Sequence, residues 1–511
     1  MSKNIIICSD GTGNTGGKGS VTNVWRMFES INRASNETVQ VAFYDDGVGT
    51  ESFKPMRILG GAFGVGLARN VKQLYTEICR IYEPGDKLFF FGFSRGAFTV
   101  RTLLGWIMEV GLINPVGTSD ARELDALVNK SYKSLRAHFR TIPERLFISE
   151  KTAEKRKDKL KDKLFELNSE QERSLGHFIG VWDTVDAVGF PVAFLATFWN
   201  SWIHQFKFPD HRLNEKVRNA FHALAIDDER LTFHPQPWDE KDKRDDQNLQ
   251  QVWFAGMHSN VGGGYPQDGM AYVPLVWIMD GAIVAGIKLT DSLATLYRER
   301  ANPMEKMYNS RSGAGLYYRF SPRNLTRIAH QYNLKQVVIH PSVASRAHQS
   351  PSGYTPRHLP VEHKIWSVGT VKSSHENALT KALTEYFSKT KESDISEIGG
   401  LWDKIRKGLQ WYVVSFTLVF AGSALAYGLI PNKFPVSYLA DIIFGAAPDF
   451  DWAIVTLKSG VLLALTFVLA LIAERNSHHK RSRFWTAISR SEKRLTRDMN
   501  KAKEVSQKSI E

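Results

Sequence analysis

Apolar residues gather in short runs that alternate with segments of helical spacing. Residues 5–8 are continuously apolar and end in SDGTGNTGG, which predicts a buried parallel strand and then a Gly-rich loop. Over 21–32, Val24, Phe28 and Ile31 recur on one helical face. A second strand is predicted at 39–44, ending in DDGVGT. GGAFGVG then leads into a helix on which Val71, Leu74, Ile78 and Ile81 share a face. The third strand, 88–91, runs straight into GFSRGAF and a helix over 99–110. This β-α-β-α order predicts a mostly parallel sheet covered on both faces. Strand signals resume at 177–182, before DTVDAVG, and at 251–255, before GMHSNVGGGY.

Two regions break the pattern. Between 114 and 176 the stretch EKTAEKRKDKLKDKLFELNSEQER is charged and helix-prone with little apolar face, which predicts a solvated helical insertion, with a regulatory or membrane-contacting lid as the competing reading. Near the C-terminus, 408–430 carries no charge and 453–473 carries only Lys458. Each stretch reaches the roughly 20 apolar residues that span a hydrocarbon core, and Lys458, one turn in, can snorkel outward. The chain is thus expected to hold a catalytic domain over 1–390 and a membrane-anchoring region over 391–511 with a two-helix transmembrane hairpin. A buried helical hairpin of a soluble core is the competing reading. Lys404, Arg406 and Lys407 precede the first span, and Arg475, Lys480, Arg481 and Arg483 follow the second. Only Lys433 and the acidic Asp441, Asp449 and Asp451 lie between them. The positive-inside rule then puts both termini, and the catalytic part, on the cytoplasmic side of a bacterial inner membrane.

Composition narrows the partners. The chain has 511 residues, 43% of them hydrophobic, enough for two or three structural units. Its net charge of +13 is not gathered into one basic tract. The excess sits near 151–163 and around the C-terminal apolar segments, which favours an anionic membrane surface over nucleic acid. Two cysteines, Cys8 and Cys79, cannot make a disulfide framework, and Cys8 lies in an apolar run. No Cys/His cluster suggests a metal, and no cofactor is expected. The N-terminus, with a four-residue apolar run before Ser9 and Asp10, is too short for a signal-peptide core.

Gly92-Phe93-Ser94-Arg95-Gly96 matches G-x-S-x-G, the nucleophile elbow. A serine on a sharp strand-to-helix turn leaves no room for side chains two positions either side. The strand LFFF before the motif and the apolar helix after it supply the context it requires. The helix offers its N-terminus to an oxyanion, with the Arg95 N–H as first donor. Partners are expected in the order Ser, acid, His. Asp183 follows the strand HFIGVW and His258 follows QVWFA, both at the carboxyl ends where open α/β sheets build sites. Asp186 and Asp227 remain rival acids, and His177, His222, His234 and His340 rival bases. Gly11-Thr12-Gly13-Asn14-Thr15-Gly16 also satisfies the dinucleotide pattern G-x-G-x-x-G, with Asp45 or Asp46 for the ribose. Asp10 directly before the glycines would face a pyrophosphate, and the elbow, acid and histidine would go unexplained. In a hydrolase, the backbone N–H of Gly11 or Thr12 supplies the second oxyanion donor and Asp10 braces the loop.

Together these segments resemble the type VI secretion phospholipase effectors of the α/β-hydrolase class whose elbow reads G-F-S-R-G. The matching stretches are SDGTGN, YDDGVGT, GFSRGAFTVR, GVWDTVDAVG, FHALAIDDERLTFHPQPW, VWFAGMHSNVGGGY and IHPSV followed by YTPRHLP, in the family's order across roughly 1–365. The resemblance implies an α/β-hydrolase-like fold and a triad of Ser94, Asp183 and His258. It also implies a lipase on glycerophospholipid esters working through an acyl-serine intermediate, with membrane phospholipid as substrate. A toxin role, with an immunity or regulatory protein as partner, stands beside that of a resident enzyme acting on its own membrane. One departure is visible: Asn260 stands where the family commonly carries an aspartate, which removes a charge beside the base. A carboxylesterase or thioesterase on a soluble ester, and a non-catalytic membrane scaffold, are the competing functions.

Overall fold

The computed structural model describes residues 2–11, 21–46, 61–116, 120–138, 160–185, 211–311 and 320–349, with short stretches as far as Trp366 and isolated positions elsewhere. The chain divides into two compact units, Met1–Tyr318 with Arg323–Thr380, and Arg319–Pro322 with Lys381–Glu511. The architecture that follows belongs to the first.

Isoleucine and phenylalanine runs favour strands, and where both sheet faces are covered the run has no polar alternation. β1 (Asn4–Ser9) is of this kind and is buried along its whole length. With β2 (Gln40–Asp45), β3 (Lys87–Phe93), β4 (Phe178–Trp182), β5 (Asn219–Ala225), β6 (Asn248–Phe254), β7 (Val338–Ile339) and β8 (Lys364–Ile365) it forms one 8-stranded sheet in the order β2-β1-β3-β4-β5-β6-β7-β8. Every pairing is parallel. The described helices are α1 (Asn23–Ser30), α2 (Gly61–Ile81), α3 (Arg95–Val110), α4 (Ala121–His138), α5 (Ser169–Leu175), α6 (His258–Gly262), α7 (Gly269–Val284), α8 (Asp291–Arg300), α9 (Leu325–Gln331) and α10 (Pro341–Gln349).

Strand alternation divides the core. Ile5, Ile7, Leu88 and Phe90 face Val71, Leu74 and Ile78 of α2 and Leu103 and Ile107 of α3. Ile6, Cys8, Phe89 and Phe91 face Val24 and Met27 of α1 and Leu275 and Ile278 of α7. Because β2 and β3 lie on opposite sides of β1, the strand order reverses there. Such a reversal opens a crevice at the carboxyl ends of the strands. The loop after β1 begins with Asp10 and Gly11, and the turn after β3 holds Ser94, so both border that crevice.

The expected parallel sheet is present and more extensive than the sequence patterns indicated. β5 (NAFHALA) was not expected, because Asn219, His222 and the alanines dilute its apolar signal; pairing with β4 and β6 on both edges buries it. The interrupted region also holds a core helix ahead of the charged stretch. α4 buries Leu124, Leu127, Val128 and Leu135 in the core. The described part of the charged stretch breaks at a 3-10 turn, Lys161–Lys163, and restarts at Asn168, whose Oδ1 accepts the Glu170 and Gln171 N–H groups at the start of α5. Among the described residues no helix is long and apolar enough to cross a membrane. The stretches 408–430 and 453–473 lie outside those residues, apart from Ile472.

Candidate active site

Ser94 leaves β3 at a residue whose partner on β4 is Trp182, the position before Asp183. Phe93 pairs with Trp182, and the Ser94 N–H donates to the Trp182 carbonyl at 3.0 Å. The sheet register therefore sets Ser94 and Asp183 side by side at two adjacent strand ends. Both turn sharply there, with φ of 57° at Ser94 and 42° at Asp183, in a region non-glycine residues seldom occupy. The flanking glycines are needed for space. A Cβ on Gly92 would lie 2.7 Å from the Ala97 Cα, and one on Gly96 would lie 2.1 Å from the Ser9 carbonyl oxygen. Gly96 thus lets α3 press against the strand that carries the N-terminal loop. Arg95 opens α3, a helix of 16 residues, so its N–H lies in the first turn beside Ser94. Burial lowers the Arg95 side chain only to about 10, so it remains a cation at neutral pH.

His258 is placed by a second turn. Gly256, at φ 114°, donates its N–H to Asp227 Oδ2 at 2.7 Å, and the His258 N–H donates to Asp228 Oδ2 at 3.2 Å. The imidazole packs between two rings, Phe93 at 4.6 Å and Phe233 edge-on at 5.0 Å. Phe93 is the residue before Ser94, so the strand that leads into Ser94 forms one wall of the histidine slot. His258 Nδ1 lies 2.6 Å from Asp183 Oδ2. Burial pushes His258 below the ordinary imidazole range, against the opposing pull of Asp183. Burial alone would raise the Asp183 carboxyl. Arg323 and His258 outweigh it and hold the group well below the usual carboxylate range. An ionised carboxylate only accepts, so Nδ1 must carry the proton, leaving Nε2 free to act as a base.

Arg323 was not anticipated from sequence. Its Nη1 donates to Asp183 Oδ1 and its Nη2 to Oδ2, both at 2.7 Å, and both groups are fully buried. Asp183 Oδ1 also accepts the Ala225 N–H at 2.9 Å. A single arginine in the polar stretch after Ser321-Pro322 gives no periodic or motif signal. Asp228 and Arg230, a buried pair at 2.7 Å, were missed as individuals although their segment, IDDERLTF, stood out.

The other candidates are elsewhere engaged. Asp227 braces Gly256 and accepts the Tyr354 hydroxyl at 3.0 Å, and Asp186 lies outside the described residues. His177, at the opposite end of β4, meets the Ala285 carbonyl at 2.7 Å. His222 lies within β5 and accepts the Thr184 N–H at 3.2 Å. His340 stacks on Phe254 at 4.8 Å, and His234 follows the 3-10 turn Leu231–Phe233. Asp10 accepts hydrogen bonds from Thr22, from Tyr44 at 2.7 Å and from the Gly11 N–H at 2.6 Å. It braces its loop, and it occupies the Gly11 N–H that had been expected to face an oxyanion. Thr12 and the remaining glycines of that loop lie outside the described residues. Asp45 accepts from Ser9 at 2.8 Å and Asn70 at 3.0 Å. Asn260 caps the turn at His258: its Oδ1 accepts the Met257 N–H at 3.1 Å and its Nδ2 donates to the Lys306 carbonyl. Among the described residues no group of His, Cys, Asp and Glu could hold a metal ion.

Comparison with known proteins gives three likenesses. The family model described as "T6SS, Phospholipase effector Tle1-like, catalytic domain" matches residues 3–281, which contain Ser94, Asp183 and His258. An uncharacterized protein of Saccharomyces cerevisiae, YEL023C, is 26% identical over 255 residues, 46% of this chain and 33% of that one. The chain thus spans about a third of that curated relative's length. A crystal structure of an uncharacterized protein from Pseudomonas aeruginosa aligns at 15% identity and a TM-score of 0.31, covering 81% of this chain and 62% of the other.

Proposed function

The chain belongs to the Tle1-like phospholipase effector family of type VI secretion, and from that premise we propose that it is a serine hydrolase cleaving acyl esters of glycerophospholipids. The observation that carries this reading is the 2.6 Å contact of Asp183 with His258 Nδ1, one strand from a positive-φ serine at the start of α3. In the proposed mechanism, His258 Nε2 takes the proton of Ser94 Oγ as that oxygen attacks the ester carbonyl. Asp183 holds the ring and stabilises the imidazolium. The oxyanion that develops meets the Arg95 N–H at the helix N-terminus. Collapse returns the proton from His258 to the departing alkoxide and leaves an acyl-serine. Water, deprotonated by the same Nε2, then releases the fatty acid. The Thr12 N–H is the remaining candidate for the second oxyanion donor. No step calls for a metal or cofactor.

The apolar stretches 408–430 and 453–473 suit a membrane anchor that keeps 1–390 at the cytoplasmic face. Tethering raises the effective concentration of a lipid substrate. Use as an antibacterial or defence toxin, restrained by an immunity protein, is compatible with this arrangement. Full-length protein should stay in the membrane pellet after alkaline carbonate washing. Recovery in the supernatant would remove the anchor from the proposal.

The test of the chemistry is labelling by a fluorophosphonate probe together with fatty-acid release from phospholipid vesicles, wild type against Ser94→Ala. Labelling at Ser94 and release lost in the variant are expected. A folded protein that does not label would be a scaffold. Turnover of short soluble esters with none on vesicles would identify a carboxylesterase or thioesterase instead.

A further inference from the structure

An ionised carboxylate taken fully out of water needs charge compensation as well as hydrogen bonds. At Asp183 both come from one side chain. The Arg323 guanidinium meets the two carboxylate oxygens in parallel, each at 2.7 Å, in the bidentate geometry that fixes both the distance and the plane of the acid. The same two nitrogens donate to the carbonyls of Ala225, at the end of β5, and Phe233. Phe233 is the ring packed edge-on against His258. One guanidinium therefore touches the acid beneath the imidazole and the backbone of the residue beside it.

We propose that Arg323 is a positioning residue of the hydrolytic site, holding the Asp183 carboxylate so that Oδ2 alone is presented to His258 Nδ1. This rests on reading Ser94, Asp183 and His258 as the triad. With Oδ1 engaged by Ala225 and Arg323, rotation of the carboxylate would break two bonds at once. The arrangement also has an electrostatic consequence. Asp183 and Arg323 together are neutral, so His258 faces a compensated carboxylate rather than a bare one. Removing the arginine deletes a positive charge close to the Asp183–His258 pair, and the pair must then hold its proton to higher pH.

The rate of fluorophosphonate labelling of full-length protein, measured across pH, reads both effects on the free enzyme. Arg323→Met is expected to slow labelling at the optimum about tenfold or more and to move the acid limb upward by about one pH unit. Arg323→Lys keeps the charge and loses the fork, so its limb should stay at the wild-type pH while the rate still falls about tenfold. An Arg323→Met protein with wild-type rate and limb would overturn the proposal. So would one that is slower with its limb unmoved, since that is the mark of a merely structural loss. If Arg323→Met yields no folded protein, Arg323→Gln, which keeps a donor but loses the charge, decides: a slowed rate with a raised limb supports the proposal, and a wild-type rate or an unmoved limb overturns it. Ser94→Ala separates the two readings. Labelling or vesicle hydrolysis surviving in that variant refutes the triad itself, whereas their loss beside an unaffected Arg323→Met refutes only the positioning role.

Discussion

Asp183 holds down two other groups, and mutation separates their consequences. Asp183→Ala removes the acid of the proposed triad and strands a fully buried arginine, a loss on the order of 3–5 kcal/mol. His258→Ala removes the proposed base but leaves that ion pair intact. Both variants should lose vesicle hydrolysis by at least about a thousandfold, His258→Ala no less severely than Asp183→Ala. Only Asp183→Ala should show a large drop in the denaturation midpoint, and equal midpoints would contradict the buried-pair account. Asn260→Asp is a gentler probe. Its Oδ1 can still accept the Met257 N–H, but the added charge stands two positions from His258. Activity should persist within several-fold while the acid limb of the pH profile moves up; an unmoved limb would mean the site does not feel that charge. Ser94 and Asp183 were legible because each directly follows an apolar strand, and His258 because it stands in the Gly-rich turn after β6. Arg323 was not, because its meaning comes from a partner 140 positions away that no local pattern announces.

At the scale of elements, the contact between α3 and β1 is decided by one missing side chain. Gly96→Ala would drive a Cβ into the backbone carbonyl of Ser9, which cannot yield as a flexible side chain would. The expected result is loss of soluble protein or of probe labelling. A stable, fully labelled Gly96→Ala would contradict so close a contact between the helix and the strand. Strands β1, β3 and β4 were readable as continuous apolar runs. β5 was not, because its burial is imposed by neighbours on both edges rather than by its own composition. The leucine-bearing face of α4, which reaches the core, was not read from the sequence.

For the whole molecule, buried imidazoles set the acid limit. Burial lowers His211 and His340 to about 4, and lowers His222 and His258 as well. His211 and His340 therefore resist protonation in the folded protein until pH nears 4, whereas the unfolded chain protonates them near 6.5. Stability is therefore fully present above about 6.5 and is lost as pH falls towards 4. Asp183, depressed in the folded state, adds its loss only below its unfolded value of about 3.9. Melting temperatures taken from pH 7.5 down to 4.5 should fall steadily through this window. A flat profile would show that the imidazoles are protonated in the folded protein.

The long reach of Arg323 also bears on synthesis. Ribosomes add about 5–20 residues each second, so the 140 positions from Asp183 to Arg323 take roughly seven seconds to half a minute to make. Throughout that interval the growing chain already carries Ser94 and Asp183 but lacks the guanidinium that neutralises and aligns the acid. On the proposed triad the serine is therefore made well before the group that aligns its acid, and hydrolytic competence would arrive as a step once Arg323 is in place rather than building up with chain length.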